Sequence, residues 1–155
     1  MKKVLTFLAC IAVPLGLGAL GGIVTSSNIN SWYETLNQPS FRPPNWLFGP
    51  VWTVLYILMG VSFFMILQAP ASSNKKRAIR VAVIQMLLNS IWSFLFFYFH
   101  QLAVALVDII VLWIFILTMI ITYYPLNKTA SLLQIPYLAW VSFATILNAA
   151  FVYLN

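Results

Sequence analysis

Acidic residues are almost absent from this chain: its 155 residues include two, Glu34 and Asp108. There is one histidine, His100, and one cysteine, Cys10. These scarcities exclude whole classes of chemistry. A single cysteine forms no intrachain disulfide and no cysteine-based metal site. Two carboxylates that no pattern brings together, and one histidine at an exposed connection, supply no Ser-His-Asp set and no metal cluster. No phosphate-cradling loop occurs among the glycines. Conventional acid–base catalysis is therefore not expected, nor is a bound metal. Charged residues make up 6% of the chain, whereas soluble domains carry about 25%.

What is present is apolar: 63% hydrophobic residues and 16% aromatic ones. A membrane span needs about 20 apolar residues. The runs predict spans at 4–25, 46–68, 79–99, 102–124 and 131–154. The fold class expected is all-α, an integral membrane bundle of five transmembrane helices. It is read as one domain over 1–155, with no separate soluble domain expected. Residues 4–25 also resemble a signal peptide, but the run exceeds a typical h-region and shows no clear cleavage site. A retained span is the preferred reading.

The formal net charge is +6. In a soluble protein that would point to nucleic acid; here the basic residues mark topology, and no nucleic-acid partner is expected. Lys2, Lys3, Lys75, Lys76, Arg77, Arg80 and Lys128 fall on the N-terminal side, and Arg42 alone on the other. The positive-inside rule puts the N-terminus in the cytoplasm and residues 26–45, loop 1, outside. A basic loop 2 between spans two and three can also meet anionic lipid.

Loop 1 and the start of span two organise the chain. Residues 32–56 hold four prolines, three tryptophans and Glu34. Proline stiffens the backbone, so the loop reads either as a lid over a site or as an interfacial belt of tryptophans. Ser31 and Glu34 have capping-box spacing, predicting a short helix from Trp32. In span three Gln85, Asn89, Trp92 and Ser93 share a face, which should point into the bundle, as ligand contacts or as interhelical bonds. Asp108 lies about 9 Å below the outer end of span four, at about 1.5 Å per residue. A structural tie from Asp108 to Arg42 is the first reading and direct ligand contact the second. The polar and aromatic in-facing positions cluster below loop 1. A site of rings and amides with little charge suits a large, flat, apolar ligand. Trp52 and Trp140 are the stacking candidates; simple packing between helices is the alternative. Gly18-x3-Gly22 and Ala78-x3-Ala82 are candidate dimer seams.

Four ordered blocks carry a resemblance. Trp32-x3-Leu36-x2-Pro39-x-Phe41-x-Pro43-Pro44-x3-Phe48-x-Pro50-Val51-Trp52-Thr53-x-Leu55-Tyr56 resembles the signature of the translocator protein family, also called tryptophan-rich sensory proteins or peripheral benzodiazepine receptors. Asn89-x2-Trp92-Ser93-x2-Phe96-Phe97, Ala105-Leu106-x-Asp108 and Pro136-Tyr137-Leu138-Ala139-Trp140-Val141-Ser142-Phe143-Ala144-Thr145-x-Leu147-Asn148 resemble its third, fourth and fifth span motifs. The similarity covers essentially the whole chain and points to a bacterial member in the cell membrane. It implies a five-helix homodimer with a pocket under loop 1. That pocket would take protoporphyrin IX or related tetrapyrroles, sterols in some members, and isoquinoline carboxamide or benzodiazepine drugs. Carried over by position, the ligand-binding residues are Tyr33, Pro43, Trp52, Asn89, Trp92, Trp140 and Ala144. The resemblance also implies light-dependent porphyrin breakdown in some members, with Trp52 and Trp140 as the redox-active rings. No cofactor is required, porphyrin being ligand or substrate. The function implied is a porphyrin-binding receptor or sensor; the alternative is a transporter of porphyrins or sterols. Two departures stand out: Leu102-Ala103-Val104 lacks a tryptophan often found there, and Tyr153 has no following basic residue to complete the sterol consensus.

Overall fold

The structure, a computed structural model, describes residues 1–155. Five of its helical stretches are long and apolar enough to cross a membrane. α1 (Lys2–Ile29) is followed by a short α2 (Trp32–Thr35) in loop 1 and by α3 (Asn45–Gln68). α4 (Ser73–Ser93) continues as a π-helical turn over Phe94–Tyr98. α5 (Leu102–Tyr123), a short α6 (Lys128–Leu132) and α7 (Ile135–Leu154) complete the bundle. Its outer surface is studded with exposed Val4, Leu8, Leu20, Ile23, Val107 and Ile146. Such an apolar exterior is stable in lipid, where each helix satisfies its own backbone. The protein is an integral membrane bundle.

Helix ends follow local chemistry. Ser72 caps α4 by accepting from the Lys75 amide, so the helix starts at Ser73 rather than at residue 79 as expected. The basic cluster expected in loop 2 is therefore helical. Cations at a helix N-terminus oppose its dipole. Lys75 offsets this by folding back, its Nζ donating to the carbonyls of Leu67 and Ala69 at 2.7 Å each. Those carbonyls belong to the C-terminal end of α3, where a cation is favoured. The fifth span is also interrupted: α6 and α7 part at Leu133 and Gln134. Pro136 explains the break, because its ring would collide with the carbonyl four residues earlier while it suits the first turn of a new helix.

α1 packs along α3 and more lightly against α4; α4 lies along α5, and α5 along α7. Gly60 of α3 is where α1 comes closest. A Cβ there would stand 2.6 Å from the Cys10 carbonyl oxygen. The expected dimer seams are largely occupied within one chain. Ala78 and Ala82 are buried, and Gly18 lies under the Tyr56 ring, while Gly22 faces open space.

Candidate functional site

Loop 1 is held over the bundle by aromatic packing, an ion pair and a clasp. Tyr33 is 1% exposed, with its ring centroid 5.0 Å from that of Phe151 and 5.7 Å from that of Phe97. Burial pushes its phenol up to about 12, against the opposing pull of Arg42. Trp32 stacks on His100 at 4.0 Å, and His100 makes the tight turn between α4 and α5 with φ of 57°. Glu34 accepts from Asn45 Nδ2 at 2.9 Å and from Arg42 Nη1 at 3.2 Å. The expected capping box does not close. Ser31 Oγ bonds back to the carbonyls of Ser27 and Asn28, although the short helix from Trp32 forms.

The expected tie between Arg42 and Asp108 is not made: the ion partner of Arg42 is Glu34. A turn closed by the Arg42 amide on the Pro39 carbonyl lets the guanidinium meet a carboxylate at the surface. Reaching Asp108 would take that guanidinium down into the bundle, where charge is costly to desolvate. A clasp that sequence reasoning missed joins loop 1 to the C-terminal end of α7. The Asn37 amide donates to Asn155 Oδ1 at 2.8 Å, and Asn155 Nδ2 donates back to the Asn37 carbonyl at 3.1 Å. Two amides 118 positions apart leave no periodic signal.

The Asn45 amide and the Arg42 guanidinium hold the Glu34 carboxyl below its ordinary value of 4.5. A lowered folded-state pKa contributes stability above the ordinary value and loses it as pH falls through the lowered one. Proteolysis of loop 1 is therefore expected to quicken as pH drops below about 4.5. Glu34→Gln should be cut faster at neutral pH and show no such acid step; an unchanged acid step in the variant would remove Glu34 as its cause.

Beneath loop 1, between α1, α3 and α4, lies a cavity of about 430 Å³. Gly18 and Gly22 contribute backbone on one side; Trp52 and Tyr56, then Trp92 and Phe97, contribute rings on the others. No ionisable side chain other than the Tyr56 phenol lines it. The Trp52 ring stacks on Tyr56 at 5.5 Å and meets Tyr137 edge-on at 6.2 Å. Trp46, by contrast, is exposed at the head of α3, as a belt tryptophan is.

Of the expected ligand-binding residues, Trp52 and Trp92 line this cavity; Tyr33, Pro43, Asn89, Trp140 and Ala144 do not. Tyr33 is a buried anchor of the loop, and half-buried Pro43 leads into α3. Trp140 stands one ring behind, edge-on to the cavity residue Phe48 at 6.1 Å. Asn89 is committed within the bundle: it accepts from Tyr56 Oη at 2.7 Å and donates to Tyr137 Oη at 3.2 Å. Tyr137 in turn donates to Gln85 Oε1 at 3.0 Å. Trp92 Nε1 donates to Asn148 Oδ1 at 3.1 Å. The polar face of α4 thus faces inward as expected, and most of its groups satisfy one another.

Four buried polar atoms are left over: Asn45 Oδ1 at the head of α3, Gln134 Oε1 at the break before α7, Asp108 Oδ2 and Trp140 Nε1. Bonds from Trp113 to Ser142 and from Asn148 to the Leu102 carbonyl set the antiparallel register of α5 and α7. That register brings Asp108 level with Ala144. An unpartnered buried donor and acceptor are unusual in a native interior.

A sequence profile of the TspO/MBR family matches residues 10–154. The chain belongs to that family. Among TspO/MBR relatives, it is 42% identical to the tryptophan-rich protein TspO of Chlorobaculum tepidum, over 99% of this chain and 98% of that protein. It is 40% identical to the tryptophan-rich protein TspO of Archaeoglobus fulgidus, over 99% of each. The likeness extends to the translocator protein of Homo sapiens, 34% identical over 76% of this chain and 70% of that protein.

Proposed function

We propose that this TspO/MBR member is a membrane receptor that binds a tetrapyrrole of the protoporphyrin IX type in the cavity under loop 1. The observation that carries the reading is the Trp52 wall of an uncharged cavity of about 430 Å³. Pockets of roughly 300–1,000 Å³ accommodate small-molecule ligands. A flat macrocycle stacks on an indole, and the uncovered glycine backbone at Gly22 allows close approach of a second face. Membership of the family supports the same ligand class, together with isoquinoline carboxamide and benzodiazepine-type drugs. The unpartnered Trp140 Nε1 and Asp108 Oδ2 are a donor and an acceptor for a larger ligand that displaces Phe48. In this reading loop 1 is the lid, facing the outside of a bacterial cell membrane, with the N-terminus cytoplasmic. The one-sided distribution of seven of the eight basic residues supports that orientation. The working form is a homodimer.

Light-dependent loss of bound porphyrin belongs to the same proposal, with Trp52 as the contacting ring and Trp140 behind Phe48. The test is a titration of purified protein with protoporphyrin IX in the dark, followed by tryptophan fluorescence and then by illumination. Saturable quenching is expected, weakened at least tenfold by Trp52→Ala, a loss of about 1.4 kcal/mol. Spectral loss in light is expected to fall further in Trp52→Phe than in Trp140→Phe. Absence of saturable binding would sink the tetrapyrrole assignment. Saturable binding with no spectral loss would leave a receptor without photochemistry.

A further inference from the structure

A second cavity, about 400 Å³, lies between α1, α3 and α4 on the side where the chain starts. Its walls are nearly all carbon: Ala9, Val13 and Leu17 of α1, Phe63 of α3, and Val83 and Leu87 of α4. It runs along α1 from Thr6 to Leu17, about 16 Å at about 1.5 Å per residue. That is about half of a hydrocarbon core about 30 Å thick, the depth of one leaflet.

The groove has a charged mouth. On α4, Lys76, Arg80, Val83 and Leu87 recur at helical spacing along one stripe, so the stripe that lines the groove ends in two cations. On α1 the turn before Thr6 carries Lys2 and Lys3. The two helices run parallel, with Gly21 against Ser93. Stepping back along both at one rise brings Arg80 level with Leu8 and Lys76 level with Val4. The four cations therefore surround one end of the groove, and all four are exposed.

None of the four has an anionic partner. The protein's single ion pair joins Arg42 to Glu34 in loop 1, and the other acid, Asp108, is deep in α5. The remaining cations of this side are engaged elsewhere. Lys75 holds the end of α3, Arg77 borders a separate polar recess beside α5, and Lys128 lies over the Tyr124 ring.

We infer that the α1–α4 groove is a site for one anionic phospholipid, its headgroup phosphate among Lys2, Lys3, Lys76 and Arg80 and one acyl chain along Val13, Leu17, Phe63 and Leu87. Charge complementarity selects the headgroup: four uncompensated cations favour a net negative lipid over a zwitterionic one. The groove selects a chain rather than a free anion, because its lining offers a phosphate nothing to bond.

The test is native mass spectrometry of the purified full chain in neutral detergent, titrated with dioleoylphosphatidylglycerol or dioleoylphosphatidylcholine. One phosphatidylglycerol should be retained per chain, in preference to phosphatidylcholine. Lys76→Gln/Arg80→Gln should weaken phosphatidylglycerol about 30-fold, at about 1 kcal/mol per basic residue, and leave phosphatidylcholine unchanged. Ala9→Trp, which fills the groove, should weaken both lipids. Arg77→Gln/Lys128→Gln, of equal charge on the same side, should weaken neither. Equal loss in the two charge variants would reduce the effect to general surface potential and overturn the site. Displacement of the lipid by millimolar glycerol 3-phosphate would overturn the groove's part, as would unchanged retention in Ala9→Trp. Helical circular dichroism of each variant, matched to the parent, keeps misfolding from passing as loss of binding.

Discussion

Gly60→Ala is expected to lower the stability of the detergent-solubilised bundle by about 3 kcal/mol, the upper end of the usual cost of over-packing. The added methyl would stand 2.6 Å from the Cys10 carbonyl oxygen and 2.7 Å from Ile11 Cα. Both are backbone atoms, so no rotamer change relieves the clash. α1 has to move away from α3 as a body. In a bilayer that loss is not recovered elsewhere, since helix association there depends on close van der Waals packing rather than on exclusion of water. Gly16→Ala is the matched control: a Cβ there meets nothing within 4 Å, and alanine favours a helix over glycine by about 1 kcal/mol. Thermal unfolding of the two variants should therefore shift in opposite directions. A shared direction would show that glycine flexibility, not the α1–α3 approach, governs the result.

Asn89→Leu should cost about 2 kcal/mol by a different route. The amide is the hub between α3 and α7, accepting from Tyr56 and donating to Tyr137. Leucine preserves the approximate size and removes both functions. Tyr56 is left with a hydroxyl and no acceptor, and an unsatisfied buried donor costs about 1–3 kcal/mol. Tyr137 keeps its bond to Gln85, which limits the damage to one orphaned group. Adding Tyr56→Phe to Asn89→Leu should therefore recover about half of the loss, since replacing both partners of a bond is far less costly than replacing one. Additive losses in the double variant would mean that the two side chains are not coupled. Porphyrin titration of the same proteins separates stability from binding, because Tyr56 lines the cavity and Asn89 does not.

How far the sequence reaches can be judged from these residues. Five long apolar runs, each near the needed length, define five spans with little competing signal. The inward face of α4 was legible too, because Gln85, Asn89 and Trp92 repeat at helical spacing and polar groups avoid lipid. Trp52 and Trp92 could be set below loop 1 by counting residues from the span ends. Direction around the bundle axis was not legible. Counting gives depth and face, but which neighbour a face meets depends on helix order, so Trp140 was expected in the cavity wall and stands behind Phe48. The partner of Arg42 was missed for a related reason. The choice between Glu34 and Asp108 rests on the path of a proline-rich turn, which no periodicity describes. The division of the last span had a visible cause in Pro136, but proline is also tolerated inside α1 and α3, so its presence alone does not mark a break. The resemblance names expected pocket residues without saying which of them are spent on one another, as Asn89 is on Tyr56 and Tyr137.

The Asn37–Asn155 clasp carries a consequence for the order of events during synthesis. Loop 1 leaves the ribosome early, together with α1 and α3, which form two walls of the cavity. Its latch lies 118 residues later, roughly 6–24 s at about 5–20 residues per second. Throughout that interval loop 1 has its own ion pair but nothing from α7 to bond to. Loop 1 therefore packs over the growing bundle on its own contacts first, and the two bonds to Asn155 join it to α7 only after the end of that helix has been made.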